Sequence, residues 1–208
     1  MKTKQHKRKG RGMQKGSSFE REICKQLSLW WTDGERDDVF WRTSGSGARA
    51  KTRAKTGGRT FGQYGDVQAT DPIGQPLLDL FSIEIKRGYS KATLSDFIDN
   101  RQKTKPQLQK FLEQVIKDSQ LRGDECSWIL LVKRDYKNTM LFIPYTLFKT
   151  MTTHQNKPKT EMGCMLLKCK MLDEKRIILI CTLDWFWERI TPKDILDEHT
   201  IWEDSHTL

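Results

Sequence analysis

The chain has 208 residues, a net charge of +10, 36% hydrophobic and 10% aromatic content. That is enough apolar material for one well-filled domain, and it excludes a disordered chain. No apolar run approaches the roughly 20 residues of a membrane helix, and the start, "MKTKQHKRKGRGMQKG", lacks the apolar stretch of a signal peptide. These features predict a protein without a membrane partner, made and kept inside the cell, in the cytoplasm.

The charge is concentrated at one end. Residues 1–61 hold 16 Lys/Arg against 6 Asp/Glu, whereas residues 62–208 hold 21 of each. A positive end beside a balanced body points to a polyanion, most simply nucleic acid. Residues 1–15 read as a flexible basic arm. A helix is predicted from about residue 16, with Ser17 as N-cap and Phe19, Ile23, Leu27 and Trp30/Trp31 at helical spacing. Glu20 shares the stripe of Ile23, Cys24 and Leu27, so it faces partly inward. Ser17-x-x-Glu20 also has capping-box spacing, which gives Glu20 a second, purely structural reading.

Phe40-Trp41-Arg42 suggests a short strand. The stretch 43–65, "TSGSGARAKTRAKTGGRTFGQYG", carries Arg49, Lys51, Arg53, Lys55 and Arg59, many glycines and no acid. It reads as a mobile basic loop whose Gly and Ser let backbone approach phosphates while the cations supply charge. A plain surface linker is the bland alternative. Asp66–Ala69 and Leu77–Lys86 then read as two strands of a hairpin around "TDPIGQP". "TLSDFIDN" and "PQLQKFLEQVIKDSQ" read as helices, the second opened by Pro106. "SWILLVKR" and "TMLFIPY" read as strands joined by a polar turn.

After residue 150, "MLLKCKML" and "RIILICTL" form a predicted hairpin. "DWFWERI" follows as a short helix, and "LDEHTIWEDSHTL" reads as an acidic tail. The expected architecture is α/β, a mixed central sheet flanked by helices. Residues 16–150 form its core, and 151–208 form a C-terminal hairpin and helix extension. The five scattered cysteines, 24, 126, 164, 169 and 181, lack a Cys-x-x-Cys knuckle and read as reduced thiols rather than zinc ligands.

The chemistry centres on residues 84–86. Side chains two apart on a strand share a face, so Glu84 and Lys86 project together. If the predicted hairpin closes, Asp66 approaches Glu84. Two carboxylates at a sheet end suit a hard cation such as Mg²⁺. A neighbouring lysine can hold or help deprotonate an attacking water and offset charge on a phosphate. The alternative is a salt bridge on a sheet edge.

Taken together, these segments resemble the PD-(D/E)XK nuclease superfamily, and within it the archaeal-type Holliday-junction resolvases, over about residues 15–148. "KGSSFEREI", beginning at Lys15, is similar to the family's opening helix and places Glu20 as a metal-site glutamate. "RTSGSG", beginning at Arg42, is similar to the segment carrying the active-site serine, matched by Ser44 or Ser46. Asp66 and Glu84-x-Lys86 match the superfamily signature, with Gly65 where proline is usual. Gln107 matches a glutamine opening the next helix, and "LFIPYTLF" a late strand and turn.

The resemblance implies a restriction-endonuclease-like fold and a metal-dependent endodeoxyribonuclease using Mg²⁺, with Mn²⁺ as substitute. Glu20, Asp66, Glu84 and the Ile85 carbonyl would serve the metal, and Lys86 the water. Ser44 or Ser46, Lys15, Arg42, Gln107 and the cations of residues 49–59 would serve the DNA. It further implies a homodimer acting on branched DNA in recombination or repair. A nuclease of the same fold with another DNA target, or a non-catalytic DNA-binding relic, are the alternatives.

Overall fold

The computed structural model describes residues 11–43, 65–99, 104–122, 126–152 and 163–206, with side chains from residue 16 to residue 205. In chain order the elements are α1 (Arg11–Trp31), β1 (Phe40–Arg42), β2 (Val67–Ala69), a 3-10 turn (Pro72–Gly74), α2 (Gln75–Leu80), β3 (Phe81–Arg87) and α3 (Leu94–Ile98). They continue with α4 (Gln107–Arg122), β4 (Ser127–Lys133), β5 (Met140–Pro144), α5 (Tyr145–Thr152), β6 (Cys164–Met171), β7 (Glu174–Thr182), α6 (Leu183–Arg189) and α7 (Pro192–His206).

Five strands form one mixed sheet in the order β3-β4-β5-β7-β6. The β3–β4 pair is parallel and the other pairs are antiparallel. The sheet lies between two apolar layers, and β4 shows why. Ile129 and Leu131 join the cluster of α1, with Phe19, Ile23 and Leu27, while Trp128, Leu130 and Val132 join that of α4, with Leu108, Phe111, Leu112, Val115 and Ile116. A strand alternates its side chains, so a near-continuous apolar run means burial on both faces. The α/β architecture expected from the pattern, a mixed sheet flanked by helices, is the one observed. Among the described residues, no helix is long and apolar enough to cross a membrane.

Four local readings change. First, α1 starts at Arg11, so its first turns take the last part of the predicted arm and Ser17 lies inside the helix rather than capping it. Gln, Lys, Arg and Met there are good helix formers, and they carry the helix past the apparent capping signal. Second, Leu77–Leu80 is helical, so there is no simple β2–β3 hairpin. Asp71 caps the 3-10 turn by accepting from the Ile73 amide, and Pro72 and Pro76 occupy the first positions of the turn and of α2. β2 pairs instead with β1, Arg42 opposite Val67.

Third, the C-terminal hairpin and the short helix after it are present, and the hairpin extends the central sheet itself: β7 pairs with β5 from Met140↔Thr182 to Pro144↔Ile178. Fourth, the acidic segment at the end is helical as far as it is described, within α7 to His206, and not a tail. Its Ile195 is fully buried, His199 Nε2 lies 3.1 Å from Asp79 Oδ2 on α2, and Glu198 accepts from Thr150 on α5 at 3.0 Å. All five cysteines are free.

Candidate active site

The site forms along the outer edge of β3, and Gly65 sets its geometry. Gly65 has φ +83°, and a Cβ there would lie 2.6 Å from the Ile83 carbonyl oxygen and 2.9 Å from its nitrogen. Only glycine tolerates both the left-handed backbone and the close approach. Proline, fixed near φ −65°, cannot take this place, which explains the departure at that position. The next residue is thereby fastened to β3. The Asp66 amide donates to Ile83 O at 2.7 Å, the Thr43 amide donates to Asp66 O at 3.0 Å, and the Thr43 hydroxyl donates to Gly65 O at 2.9 Å.

From this anchored backbone the Asp66 side chain reaches along the strand, where its Oδ2 accepts the Ile85 amide at 2.8 Å. In a strand the amide and carbonyl of one residue point to the same side. The Ile85 carbonyl therefore also faces the Asp66 edge, as the ligand reading of Ile85 requires. Glu84 is fixed from the opposite face of the sheet. Its Oε1 accepts from Lys86 Nζ and from Gln114 Nε2 of α4, the latter at 2.8 Å. The Lys86 ammonium lies over the Phe111 ring, 5.7 Å from its centroid.

Asp66 and Glu84 are only 4% and 5% exposed. Burial, and then the Glu84 charge, push the Asp66 carboxyl up to about 7, against the pull of the Ile85 amide and Lys86; Glu20 adds to the rise. This is the expected response of a carboxylate held out of water beside another. For Lys86, burial works against the ammonium, yet the charge and hydrogen bond of Glu84, joined by Asp66, outweigh it and raise the pKa. Lys86 is thus a firm cation at neutral pH, which suits it to stabilising negative charge and not to taking a proton from water.

Glu20 lies 15% exposed on α1 and accepts from Arg42 Nε at 2.7 Å. Its charge acts on Asp66 and, together with Asp66, on the Cys24 thiol, which burial above all pushes up to about 12. The three acids thus share one neighbourhood. They do not close into a ready cage: among the described residues no three His, Cys, Asp or Glu side chains are grouped so as to hold a metal ion. The Asp66–Glu84 pair still fits Mg²⁺. That ion takes one or two carboxylates and keeps waters for its other positions, and it would neutralise the repulsion at Asp66.

Ser44, Ser46, Arg49, Lys51, Arg53, Lys55 and Arg59 lie outside the described residues, and Lys15 belongs to α1 without a described side chain. Gln107 opens α4 half-buried, while Gln114 is the glutamine that contacts Glu84. The two are seven residues apart, two helical turns along one face. That spacing was the available signal for Gln114.

The protein-family comparison matches residues 11–197 to the family described as "Phage putative PDDEXK endonuclease". The chain belongs to this family. No curated protein and no solved structure gives a significant match. Membership in this PDDEXK endonuclease family makes the chain a nuclease of the PD-(D/E)XK superfamily, with DNA as its substrate. The match includes β6, β7 and α6, so the C-terminal hairpin and helix lie within the PDDEXK region.

Proposed function

We propose that this nuclease is a Mg²⁺-dependent endonuclease of branched DNA, with four-way junctions as its favoured substrate and a two-fold dimer as its working form. The observation that carries the metal reading is the buried Asp66–Glu84 pair, in which burial first and the Glu84 charge second lift Asp66 to about 7. A divalent cation is the natural counter-charge for such a pair. When bound, it supplies Lewis-acid polarisation of a phosphoryl oxygen and lowers the pKa of a coordinated water.

The protein's own groups do the rest. Asp66 and Glu84 present oxygens from two directions, and the Ile85 amide and Gln114 keep them oriented. Lys86, retained as a cation, offsets charge that builds on the phosphate during displacement. Arg42 holds Glu20 at the border of the site, where Glu20 serves as a further carboxylate once a strand and an ion are present.

Support for the branched substrate comes from the sequence resemblance and from the composition of residues 43–65, which supply five cations, many glycines and no acid, suited to phosphate rather than to base edges. The deciding experiment is cleavage of a four-way junction against a duplex of the same sequence, each with and without Mg²⁺. Preferential nicking of the junction, only with the metal, is expected. Equal cleavage of both would assign the same fold to another DNA target. Cleavage that persists in a chelator would remove the metal from the mechanism.

A further inference from the structure

A second group of charges sits at the far end of β3 and β4, one residue beyond the lysine of the site. The strands run parallel, with Arg87 opposite Lys133, and the Gly88 amide donates to Lys133 O at 3.2 Å. Alternation turns Arg87 to the face opposite Lys86, towards α1. There the Arg87 guanidinium and the Lys133 ammonium both lie against the ring of the fully buried Phe19, at 5.4 and 5.2 Å from its centroid. A rigid aromatic floor between two cations fixes where they point.

One carboxylate holds the two cations together. Glu22 Oε1 lies 3.3 Å from Lys133 Nζ, and Glu22 Oε2 lies 3.7 Å from Arg87 Nη1. The arrangement keeps a net positive charge, and Arg87 Nε is buried without a hydrogen-bond partner among the described residues. All three side chains remain reachable, being 25%, 26% and 40% exposed for Arg87, Lys133 and Glu22. A carboxylate that offers one oxygen to each of two cations has the same donor demand as a phosphodiester with its two non-bridging oxygens.

We propose that Arg87 and Lys133 form a phosphate-holding subsite for the DNA strand, next to the scissile position, and that Glu22 occupies it until the strand binds. The ligand is a backbone phosphodiester, so the contact is indifferent to sequence and to branching. The inference rests on DNA being the substrate and not on selectivity for junctions.

The test measures Kd for a plain duplex and for a junction, in chelator to prevent cleavage, over a series of salt concentrations. Lys133→Ala and Arg87→Ala should each raise Kd about tenfold and flatten the slope of log K against log salt by about 1 for both DNAs. Glu22→Gln should act in the opposite direction and lower Kd, because it removes the competing carboxylate while keeping the side chain's shape. Thermal melting checks that each variant is folded, and if Arg87→Ala is not, Lys133→Ala and Glu22→Gln still decide. An unchanged slope in folded Lys133→Ala, or binding by Glu22→Gln that is equal or weaker, overturns the proposal. Equal nicking of junction and duplex by the wild type would defeat the branched-DNA reading and leave this measurement standing.

Discussion

Replacing Asp66 by Asn should stabilise the metal-free protein. The wild-type carboxyl is moved from 3.8 to about 7, by burial first and Glu84 second. At about 1.36 kcal/mol per pH unit, that gap sets a ceiling of about 4 kcal/mol on the cost of keeping Asp66 ionised in the folded state. The sign follows from the raised value. The contribution favours folding fully below pH ~4, and it is lost as pH climbs through about 7. Asn keeps an oxygen to accept the Ile85 amide but has no charge to bury. Its advantage should therefore be greatest at pH 8 and nearly gone at pH 4. For a domain of this size each kcal/mol moves the melting temperature about 2–4 °C. Allowing for relaxation around Lys86, a rise of at least about 4 °C at pH 8 is expected. The assay is thermal unfolding in chelator across pH 4–8, followed by addition of Mg²⁺. The metal should raise the wild-type melting temperature at pH 8 and leave Asp66→Asn nearly unmoved. A variant that melts at or below the wild type at pH 8, by a margin independent of pH, would refute the reasoning.

Lys86→Ala should lower turnover by about 10²–10⁴-fold in single-turnover cleavage while Kd for DNA changes only a few-fold, since the ammonium acts on charge that develops during reaction; a matched loss of binding would make it a simple phosphate contact. Gly65→Ala should abolish cleavage with the protein still folded by circular dichroism, because the added methyl meets Ile83 backbone at 2.6 Å and displaces Asp66; wild-type activity would show that the backbone there yields. Gln114→Leu should weaken Mg²⁺ about 10–100-fold, read as the metal concentration for half-maximal activity, because Glu84 loses the amide that orients it; an unchanged requirement would confine Gln114 to packing.

The parts of the fold legible in the sequence were those with one solution. β4 and β5 are apolar runs too short for helices and bounded by polar turns. α4 shows a clear stripe from Leu108 to Ile116. Leu77–Leu80 is a different case: four residues, three of them buried leucines, fit a strand or a single helical turn, and Pro76 tips the balance toward the helix. Ser17-x-x-Glu20 carried a genuine capping pattern, but a cap forms only where the preceding residues leave the helix, and Arg11–Gly16 do not. Within the site, Asp66, Glu84 and Lys86 were legible because charges in an apolar strand are costly without a purpose. Gln114 was not, since a polar residue on an amphipathic helix looks ordinary until the strand beneath it is known. Glu20 was legible as an inward acid, while its bond to Arg42 depends on the β1–β2 ladder, which the sequence did not predict.

Residues 174–182 lie between β5 and β6 in space, although they come after both in the chain. Every group of the candidate site is translated by residue 114, yet β6 has no place in the sheet until this late strand pairs with β5. A premature stop after β6 but before residue 174 would therefore leave the residues of the candidate site in the chain and β6 without its partner strand.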